Sequence, residues 1–277
     1  MKSMPMALSR EDFLSLKRAY QNLEQPSLAI RLADSIGTPI ETGFKLLPVF
    51  WRKRLQRCTE HAIWKALGTA VASLENKPGT ASSDMCHKLM GIATGAVGGF
   101  LGGPALLVEL PFTTTIMLRS IADIARSEGE NLDDIRTRLA CLEVFALGGR
   151  SNRDDAADAG YYGVRMALAM SVSAASSHIA RNGLAGRAGA PLLVDFVLMV
   201  SSRFGITVSE KIAAEIIPVV GAVGGALINT VFIQHFQDMA RSHFTVRRLE
   251  RKYGASVVQA EYHRLHNPEY GLLLAAA

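Results

Sequence analysis

The sequence predicts an all-α fold, and we expect a single multi-helix domain with glycine-zipper helical hairpins. Apolar residues recur at intervals of three and four along most of the 277 residues, and no run shows the sustained alternation of a half-buried strand. The 24 glycines, set against an aromatic content of 7%, indicate helices that pack closely through small residues. Because no linker rich in proline, serine or charge divides the chain, we expect one helical domain over residues 41–260, with a helical extension at 1–40 and a tail at 261–277.

The first two predicted helices are delimited by caps and prolines. Ser9 and Asp12 form a capping box for a first helix that extends to about Leu23 and ends before Pro26. Pro48 suits the first turn of the next helix. One face of that helix is formed by Trp51, Leu55, Cys58, Ala62 and Ala66.

A glycine repeat follows in a stretch, Leu89–Val108, that contains no charged side chain. The repeat consists of Gly91, Gly95, Gly99 and Gly103. Glycine in a helix interior costs about 1 kcal/mol relative to alanine, so the repeat indicates a gain from close approach of a second helix. Gly221 and Gly225 have the same spacing within the last long helix, and we expect the two glycine-lined helices to pack on each other.

A helical hairpin and an amphipathic helix are predicted next. We expect a break between Pro104 and Pro111, after which a helix to about Ser127 returns beside the glycine repeat. Asp134 is a suitable N-cap for an amphipathic helix that ends at the glycine pair 148–149.

The C-terminal half of the chain is predicted to hold three more helices. Apolar helices follow at about residues 156–180 and 192–204. The last long helix starts near Glu210 and continues to Tyr253, with a kink at Pro218.

Two segments without Asp, Glu, Lys or Arg raise the question of membrane association. Leu89–Val108 and Ile216–Gln237 are each long enough to cross about 30 Å of hydrocarbon, and the mean hydropathy of the chain is +0.17. Glu109, next to the first segment, opposes spanning, because a charge at the bilayer centre costs at least about 2.5 kcal/mol. Pro218 and Asn229 in the second segment oppose spanning as well. Three alternatives stay open: spanning helices, peripheral insertion, and a soluble core packed through glycine.

A basic segment beside a tryptophan is a candidate membrane surface. It comprises Trp51, Arg52, Lys53, Arg54 and Arg57. Tryptophan and basic residues on one helix fit an anionic lipid surface, where each basic residue contributes about 1 kcal/mol. A solvated helix face explains the same pattern. A second basic cluster, at 247–252, is interpreted as cations that complement the dipole at a helix C-terminus.

Charge, cysteines and the N-terminus limit the partners and the compartment. The net charge of +5 suits an anionic partner, but no aromatic stacking motif for nucleic acid occurs, so we expect lipid and no nucleic acid. Cys58, Cys86 and Cys141 form no CxxC pattern, which favours a reducing compartment. The first 18 residues are charged and lack the apolar core of a secretory signal, so we expect a cytoplasmic protein.

Several ordered sequence blocks carry a family resemblance. The blocks are Glu109-Leu110-Pro111, Leu147-Gly148-Gly149-Arg150-Ser151, Asp154-Asp155, Gly160-Tyr161-Tyr162, Arg165, Ile217 to Ala226, Asn229, His235-Phe236-Gln237, Ala240-Arg241, His243-Phe244 and Arg247-Arg248-Leu249-Glu250. Over about residues 40–260 these blocks resemble the EcsC protein family. The resemblance implies a bacterial helical protein. Because the family's namesake is encoded beside an ABC-type transporter associated with secretion, it also implies an accessory role in transport or in the cell envelope.

A candidate polar site combines polar residues that stand among apolar ones with polar residues of the loop at 150–155 and of the other family blocks. They are Glu109, Asp154, Asp155, Arg165, Glu215, Asn229 and His235. A buried, unpaired carboxyl group has a raised pKa, as acid–base catalysts do, but caps and ion pairs are the more frequent role. The common hydrolase, metalloprotease and P-loop motifs do not occur. His235 with Asp238, and His263 with His266, lack an evident third ligand, so we predict no metal site and no cofactor.

The sequence therefore favours a non-enzymatic, membrane-associated helical protein at the inner membrane face, peripheral or integral, whose partners are lipid and a transporter or other membrane protein. Two alternatives stay open. One is a soluble helical module that binds a lipid-like apolar ligand. The other is an unrecognised hydrolase that uses Glu109 or the loop with Asp154 and Asp155.

Overall fold

The computed structural model describes residues 8–24, 28–46, 51–73, 103–149, 160–183, 191–217 and 221–266. Within these ranges 90% of the residues are helical and none lies in a strand, which confirms the all-α prediction. The helices are α1 (Arg10–Glu24), α2 (Leu28–Ile36), α3 (Glu41–Leu46), α4 (Trp51–Ser73), α5 (Gly103–Ser127), α6 (Ile135–Leu147), α7 (Tyr161–Asn182), α8 (Pro191–Ile216), α9 (Gly221–Tyr253) and α10 (Ala255–His266).

Two helix starts follow from their side-chain caps. The Ser9 hydroxyl accepts a hydrogen bond from the backbone N–H of Asp12 at 3.2 Å, as expected for the capping box of α1. The Asp134 carboxylate accepts from the backbone N–H of Arg136 at 2.9 Å and caps α6. Both starts were predicted from the sequence, because each cap depends only on residues within one helical turn.

The helix α5 differs from the prediction. A break was expected between Pro104 and Pro111, but α5 is continuous from Gly103 through Pro111 to Ser127. A proline in a helix interior costs about 3 kcal/mol, because it removes one backbone hydrogen bond and crowds the preceding turn. The turns after Pro111 bury Met117, Leu118 and other apolar residues, and this packing outweighs the cost of the proline.

The last long helix is two helices. Glu210, where it was expected to begin, lies inside α8, which ends at Ile216, and α9 begins at Gly221. The residue before a proline is disfavoured in the helical conformation, and Ile217, which precedes Pro218, is outside both helices. The proline therefore separates two helices instead of bending one.

The helices α6 and α9 form the centre of the protein. Every residue of α6 from Leu139 to Leu147 is buried, so this helix is covered on all sides and not only along the expected stripe. Around it α9 contacts α1, α2, α5, α6, α8 and α10. A cluster of aromatic rings fills the interior, and its centroids are 4.9 to 6.3 Å apart. The cluster consists of Phe145, Phe204, Phe232 and Phe236.

The glycine pair at the end of α6 allows close contact with two other helices. A Cβ atom on Gly149 would lie 2.2 Å from the backbone oxygen of Arg203 in α8, and one on Gly148 would lie 2.6 Å from the ring of Phe236. The Arg203 guanidinium donates hydrogen bonds to the carbonyl oxygens of Ala146 and Gly149, both at 2.9 Å. These bonds satisfy carbonyl groups that a helix end leaves without a partner.

The predicted glycine zipper falls mostly outside the described residues, where Gly91, Gly95 and Gly99 lie. Gly103 and Gly221 are the first residues of α5 and α9, which contact each other, and Gly225 is buried in α9. The close pairing of the two glycine-lined segments stays a prediction. The proposed division of the chain at residues 40 and 260 also stays a prediction, although α1 and α2 contribute Leu16 and Leu28 to the main core.

Among the described helices, only α8 is long and apolar enough to cross a membrane. In its most apolar window 44% of the residues are buried inside the protein, and a core helix of a soluble protein has the same length and composition. This is weak evidence for spanning. The two segments expected to be able to span, Leu89–Val108 and Ile216–Gln237, each include residues outside the described ranges.

Candidate binding pocket

A pocket of about 620 Å³ lies where the end of α1, the start of α7, the last turn of α9 and the helix α10 meet. Gly254, with a φ of 92°, ends α9 and lets α10 turn back toward α1. Three tyrosines and an ion pair between Arg165 and Glu250 line the pocket. The rest of the lining consists of the polar side chains Glu24, Gln259 and His263 and of small or apolar residues: Gly160, Gly163, Met166, Ala169 and Ala255.

The Glu24 carboxylate joins three of the helices that form the pocket. It accepts a hydrogen bond from the backbone N–H of Tyr161 at 3.0 Å and one from the hydroxyl of Tyr262 at 2.9 Å. A carboxylate at the start of a helix is also stabilised by the helix dipole, so Glu24 fixes the start of α7 against α1 and α10. Gly160 leaves room for this contact, because a Cβ there would lie 2.8 Å from the carboxylate.

The tyrosine rings form one wall of the pocket. The ring centroids of Tyr161, Tyr162 and Tyr262 are 5.1 to 5.6 Å apart, and Tyr20 packs edge-on against Tyr262 at 5.0 Å. Burial raises the pKa of all three pocket tyrosines well above the ordinary value, so their hydroxyl groups are protonated at neutral pH. The wall therefore offers aromatic faces together with hydrogen-bonding hydroxyl groups.

Arg165 and Glu250 form an ion pair at the wall of the pocket. The guanidinium donates to both carboxylate oxygens, at 2.8 and 2.7 Å, and the Tyr162 hydroxyl donates to the same carboxylate at 3.0 Å. Burial disfavours the charged form of Arg165, but Tyr161 and Glu250 outweigh it and raise the pKa of Arg165 above its ordinary value. The guanidinium of Arg165 is therefore charged at the pocket wall.

A chain of buried polar groups leads from the pocket to the core. The Tyr161 hydroxyl is 3.0 Å from Nδ1 of His243, and Nε2 of His243 is 3.9 Å from a carboxylate oxygen of Glu143. Because Arg165 also donates to the Tyr161 oxygen at 3.3 Å, the tyrosine is placed to donate its own proton to His243. Among the described residues Nε2 of His243 has no hydrogen-bond partner.

Burial makes this chain sensitive to protonation. It raises the pKa of Glu143 to about 7 and, together with Arg247 and Arg165, holds the pKa of His243 well below its ordinary value. His243 is therefore neutral at pH 7, while Glu143 changes its charge near that pH.

Of the four expected polar-site residues whose side chains the structure describes, one lines this pocket, namely Arg165. Glu215 lies 3.6 Å from the Lys211 ammonium in α8. His235 lies in the core, where Nε2 is 2.9 Å from the carbonyl oxygen of Gly148, and burial lowers the pKa of His235 to about 4. Asn229 is also buried in α9.

The remaining three expected site residues cannot be placed. The side chain of Glu109 and the whole of Asp154 and Asp155 lie outside the described residues. Within the described ranges, no three His, Cys, Asp or Glu side chains lie close enough together to hold a metal ion.

The two basic clusters have different surroundings. Lys53, Arg54 and Arg57 are exposed on α4, whereas the side chains of Trp51 and Arg52 lie outside the described part. The cluster at 247–252 does more than complement a helix dipole, because its side chains form ion pairs with three carboxylates. The pairs are Arg247 and Arg251 with Glu130, Arg248 with Glu128 and Asp12, and Lys252 with Asp12.

Sequence reasoning missed most of the pocket, although part of the signal was present. Tyr161, Tyr162, His243 and Glu250 all stand in the ordered family blocks, but nothing in their spacing indicates that they meet. Glu24 and Tyr262 lie near opposite ends of the chain, and no local pattern connects them.

Comparison with known proteins gives a family. Neither a curated protein nor a solved structure matches the chain. The family model described as the EcsC protein family matches residues 46–249, a range that includes Glu143, Tyr161, Arg165 and His243. Since the match covers most of the chain, the protein belongs to the EcsC protein family.

Proposed function

We propose that this protein binds a small amphipathic ligand in the tyrosine-lined pocket. The observation that carries the proposal is the convergence of three tyrosines with the Arg165–Glu250 pair around a space of about 620 Å³. Pockets for small molecules commonly measure about 300–1,000 Å³ and combine apolar walls with a few fixed polar groups. The pocket has this size and this composition.

The chemistry of the lining favours binding over catalysis. The tyrosine hydroxyl groups have raised pKa values, so at neutral pH they act as hydrogen-bonding groups and not as bases. An apolar ligand body would lie against the tyrosine rings and the small side chain of Ala169. Polar atoms of the ligand would meet the edges of Arg165 and Glu250.

Filling the pocket tests this proposal. Ala169 lines the pocket on α7, and Ala167 is exposed on the same helix without lining it. Native mass spectrometry of protein purified without detergent should show a reproducible small-molecule adduct for wild type and for Ala167→Trp, but none for Ala169→Trp. Adducts that persist in Ala169→Trp, or their absence from wild type, would contradict the pocket assignment.

We also propose that the protein associates with the inner face of a membrane, and a separate observation favours this second function. Large apolar side chains are exposed on α7 and α8, which pack on each other: Met166 is 74% exposed, Met170 is 81% exposed, and Leu192 and Leu198 are exposed as well. Partly exposed apolar helices bind at membrane interfaces in proportion to the area they bury there. The basic face of α4 would add electrostatic attraction to anionic lipid.

Liposome flotation tests membrane association. Wild-type protein should float with anionic liposomes at low salt and less at high salt, whereas resistance to a carbonate wash would indicate spanning helices. Met170→Asp combined with Leu192→Asp should reduce flotation, and Leu14→Asp, which alters an exposed apolar residue of α1, should not. Equal flotation of all three proteins, or none by wild type, would refute the proposal. Membrane attachment of this kind would suit an accessory to a transporter or to a cell-envelope process.

A further inference from the structure

A second cavity, of about 250 Å³, adjoins the tyrosine-lined pocket. It is lined by Arg165, Arg247, Glu250 and Arg251, and it shares Arg165 and Glu250 with the larger pocket. We call it the arginine cavity. Three guanidinium groups and one carboxylate therefore surround the arginine cavity. Two of these groups also line the tyrosine-lined pocket.

The charges around the arginine cavity do not cancel. Arg247 donates to both oxygens of Glu130 at 2.7 and 3.1 Å, and Arg251 donates to the same carboxylate. Glu250 is the partner of Arg165. Three guanidinium groups therefore share two carboxylates. Burial opposes ionisation of Glu130, but Arg247 and Arg251 outweigh it and lower the pKa of Glu130, so this carboxylate is charged at neutral pH.

Glu143 is the third carboxyl group near these arginines, and it does not reliably balance the third charge. Arg247 and Arg165 favour its ionised form, but burial is the larger effect and raises the pKa of Glu143 to about 7. At neutral pH this group is therefore partly protonated. The other titratable groups near Arg247 and Arg165 are uncharged at neutral pH: His243, Cys141, Tyr161 and Tyr162.

The neighbouring cations on α9 show a different arrangement. Arg248 and Lys252 pair with Glu128 and Asp12, so two cations meet two carboxylates and line neither cavity. An ion-pair network that serves only to hold helices together would need no more than this balance. Of these two groups of cations, the one with surplus positive charge is the one that lines the cavity.

We propose that the arginine cavity binds an anionic group, a phosphate or a carboxylate, at the end of the ligand whose apolar part occupies the tyrosine-lined pocket. This inference rests on the proposed function and names the class of ligand as an anionic amphiphile. A guanidinium has five N–H donors, so each arginine keeps donor capacity beside its carboxylate partner. Paired N–H groups of arginine match the oxygens of phosphate and carboxylate groups.

Calorimetric titration with four probes tests the inference: decyl phosphate, decanoate, decanol and inorganic phosphate. Wild type should bind at least one anionic amphiphile about tenfold or more tightly than decanol, because charge-assisted hydrogen bonds form only with the anion. The preference between decyl phosphate and decanoate identifies the head group. Weaker binding of inorganic phosphate than of decyl phosphate would show that both cavities are used together.

Variants of two neighbouring arginines locate the anion. Arg251→Gln removes a charge from the cavity while Arg247 still holds Glu130, and Arg248→Gln removes a charge from the same helix outside it. We expect Arg251→Gln to weaken binding of the anionic amphiphile about tenfold without affecting decanol, and Arg248→Gln to change neither.

The outcomes separate this inference from the function on which it rests. Equal binding of decanol and of both anionic amphiphiles would overturn the arginine cavity as an anion site and leave the pocket intact. No binding of decanol or of either amphiphile would overturn the pocket itself. An equal loss of affinity in Arg248→Gln and Arg251→Gln would show that general charge, and not this cavity, attracts the anion.

Discussion

The N-terminal half of α9 packs among phenylalanine rings, whereas its C-terminal half lies among carboxylates and tyrosines. In the first half His235 is buried and neutral, its ring packs edge-on against Phe236, and its Nε2 lies 2.9 Å from the carbonyl oxygen of Gly148. In the second half His243 lies between a pocket tyrosine and a carboxyl group whose pKa is raised to about 7. The two histidines are equally buried but differ in what surrounds them.

The surroundings of the two histidines distinguish a buried polar group with a structural role from one that can affect a bound ligand. Around His235 the backbone approaches so closely that no space remains, as the contacts of Gly148 show. Around His243 the polar groups extend outward to Tyr161 and Arg165, which line a pocket. Burial alone therefore does not identify a functional histidine. The connection of the buried group to an accessible space is the more useful criterion.

The largest effect is expected from a substitution in the tight contact between α6 and α8. Gly149→Ala places a Cβ atom 2.2 Å from the backbone oxygen of Arg203, and because backbone cannot rotate away, α6 and α8 must separate. We expect a loss of about 3 kcal/mol or more in the free energy of unfolding, measured by urea denaturation.

The matched control lies in an open part of a helix. A Cβ on Gly68, in the interior of α4, meets no atom of the described residues within 4 Å. Gly68→Ala should therefore raise the free energy of unfolding by about 0.5–1 kcal/mol, because alanine restricts the unfolded chain and favours helix. A Gly149→Ala protein as stable as wild type would refute the close packing of α6 on α8.

The packed core and the pocket also differ in how much of their structure could be predicted from the sequence. The caps of α1 and α6 and the end of α6 at Gly148 follow from residues within a few positions of one another, and the structure confirms them. The predicted break between Pro104 and Pro111 was wrong. Burial of the turns that follow Pro111 outweighs the local tendency of proline to interrupt a helix.

The pocket could not be predicted in the same way, because its contacts join distant parts of the chain. Arg165 meets Glu250 across 85 residues, and Glu24 meets Tyr262 across 238. Arg165 was among the expected site residues because of a family block, but its partner depends on how α7 packs against α9. Only the packed helices show that these polar residues surround a common space.

An intermediate effect is expected from the buried carboxyl group behind the pocket. The pKa of Glu143 is about 7 in the folded protein and near 4.5 in the unfolded chain. As pH rises from about 4.5 to 7 the unfolded state releases this proton first, so the folded state loses stability over that window, on the order of 3 kcal/mol. Above pH 7 both states are ionised and the loss is complete.

Glu143→Gln removes this titration. The difference in free energy of unfolding between the variant and wild type should be constant below about pH 4.5, shift in favour of the variant up to about pH 7, and be constant again above it. Denaturation at pH 4.5, 6 and 8 measures the difference. Glu210, whose pKa burial also raises to about 7, titrates in both proteins, so its contribution cancels. Parallel stability curves would contradict the raised pKa of Glu143.

The smallest expected effect refines the description of the pocket wall. Tyr262→Phe removes the hydroxyl that donates to Glu24 at 2.9 Å but keeps the ring against Tyr162, and Glu24 still accepts from the backbone N–H of Tyr161. We expect a loss of about 1 kcal/mol in the free energy of unfolding, the usual net value of one hydrogen bond. A loss as large as that of Gly149→Ala would show that the pocket wall is packed as rigidly as the aromatic core, and the contrast between the two halves of α9 would then not hold.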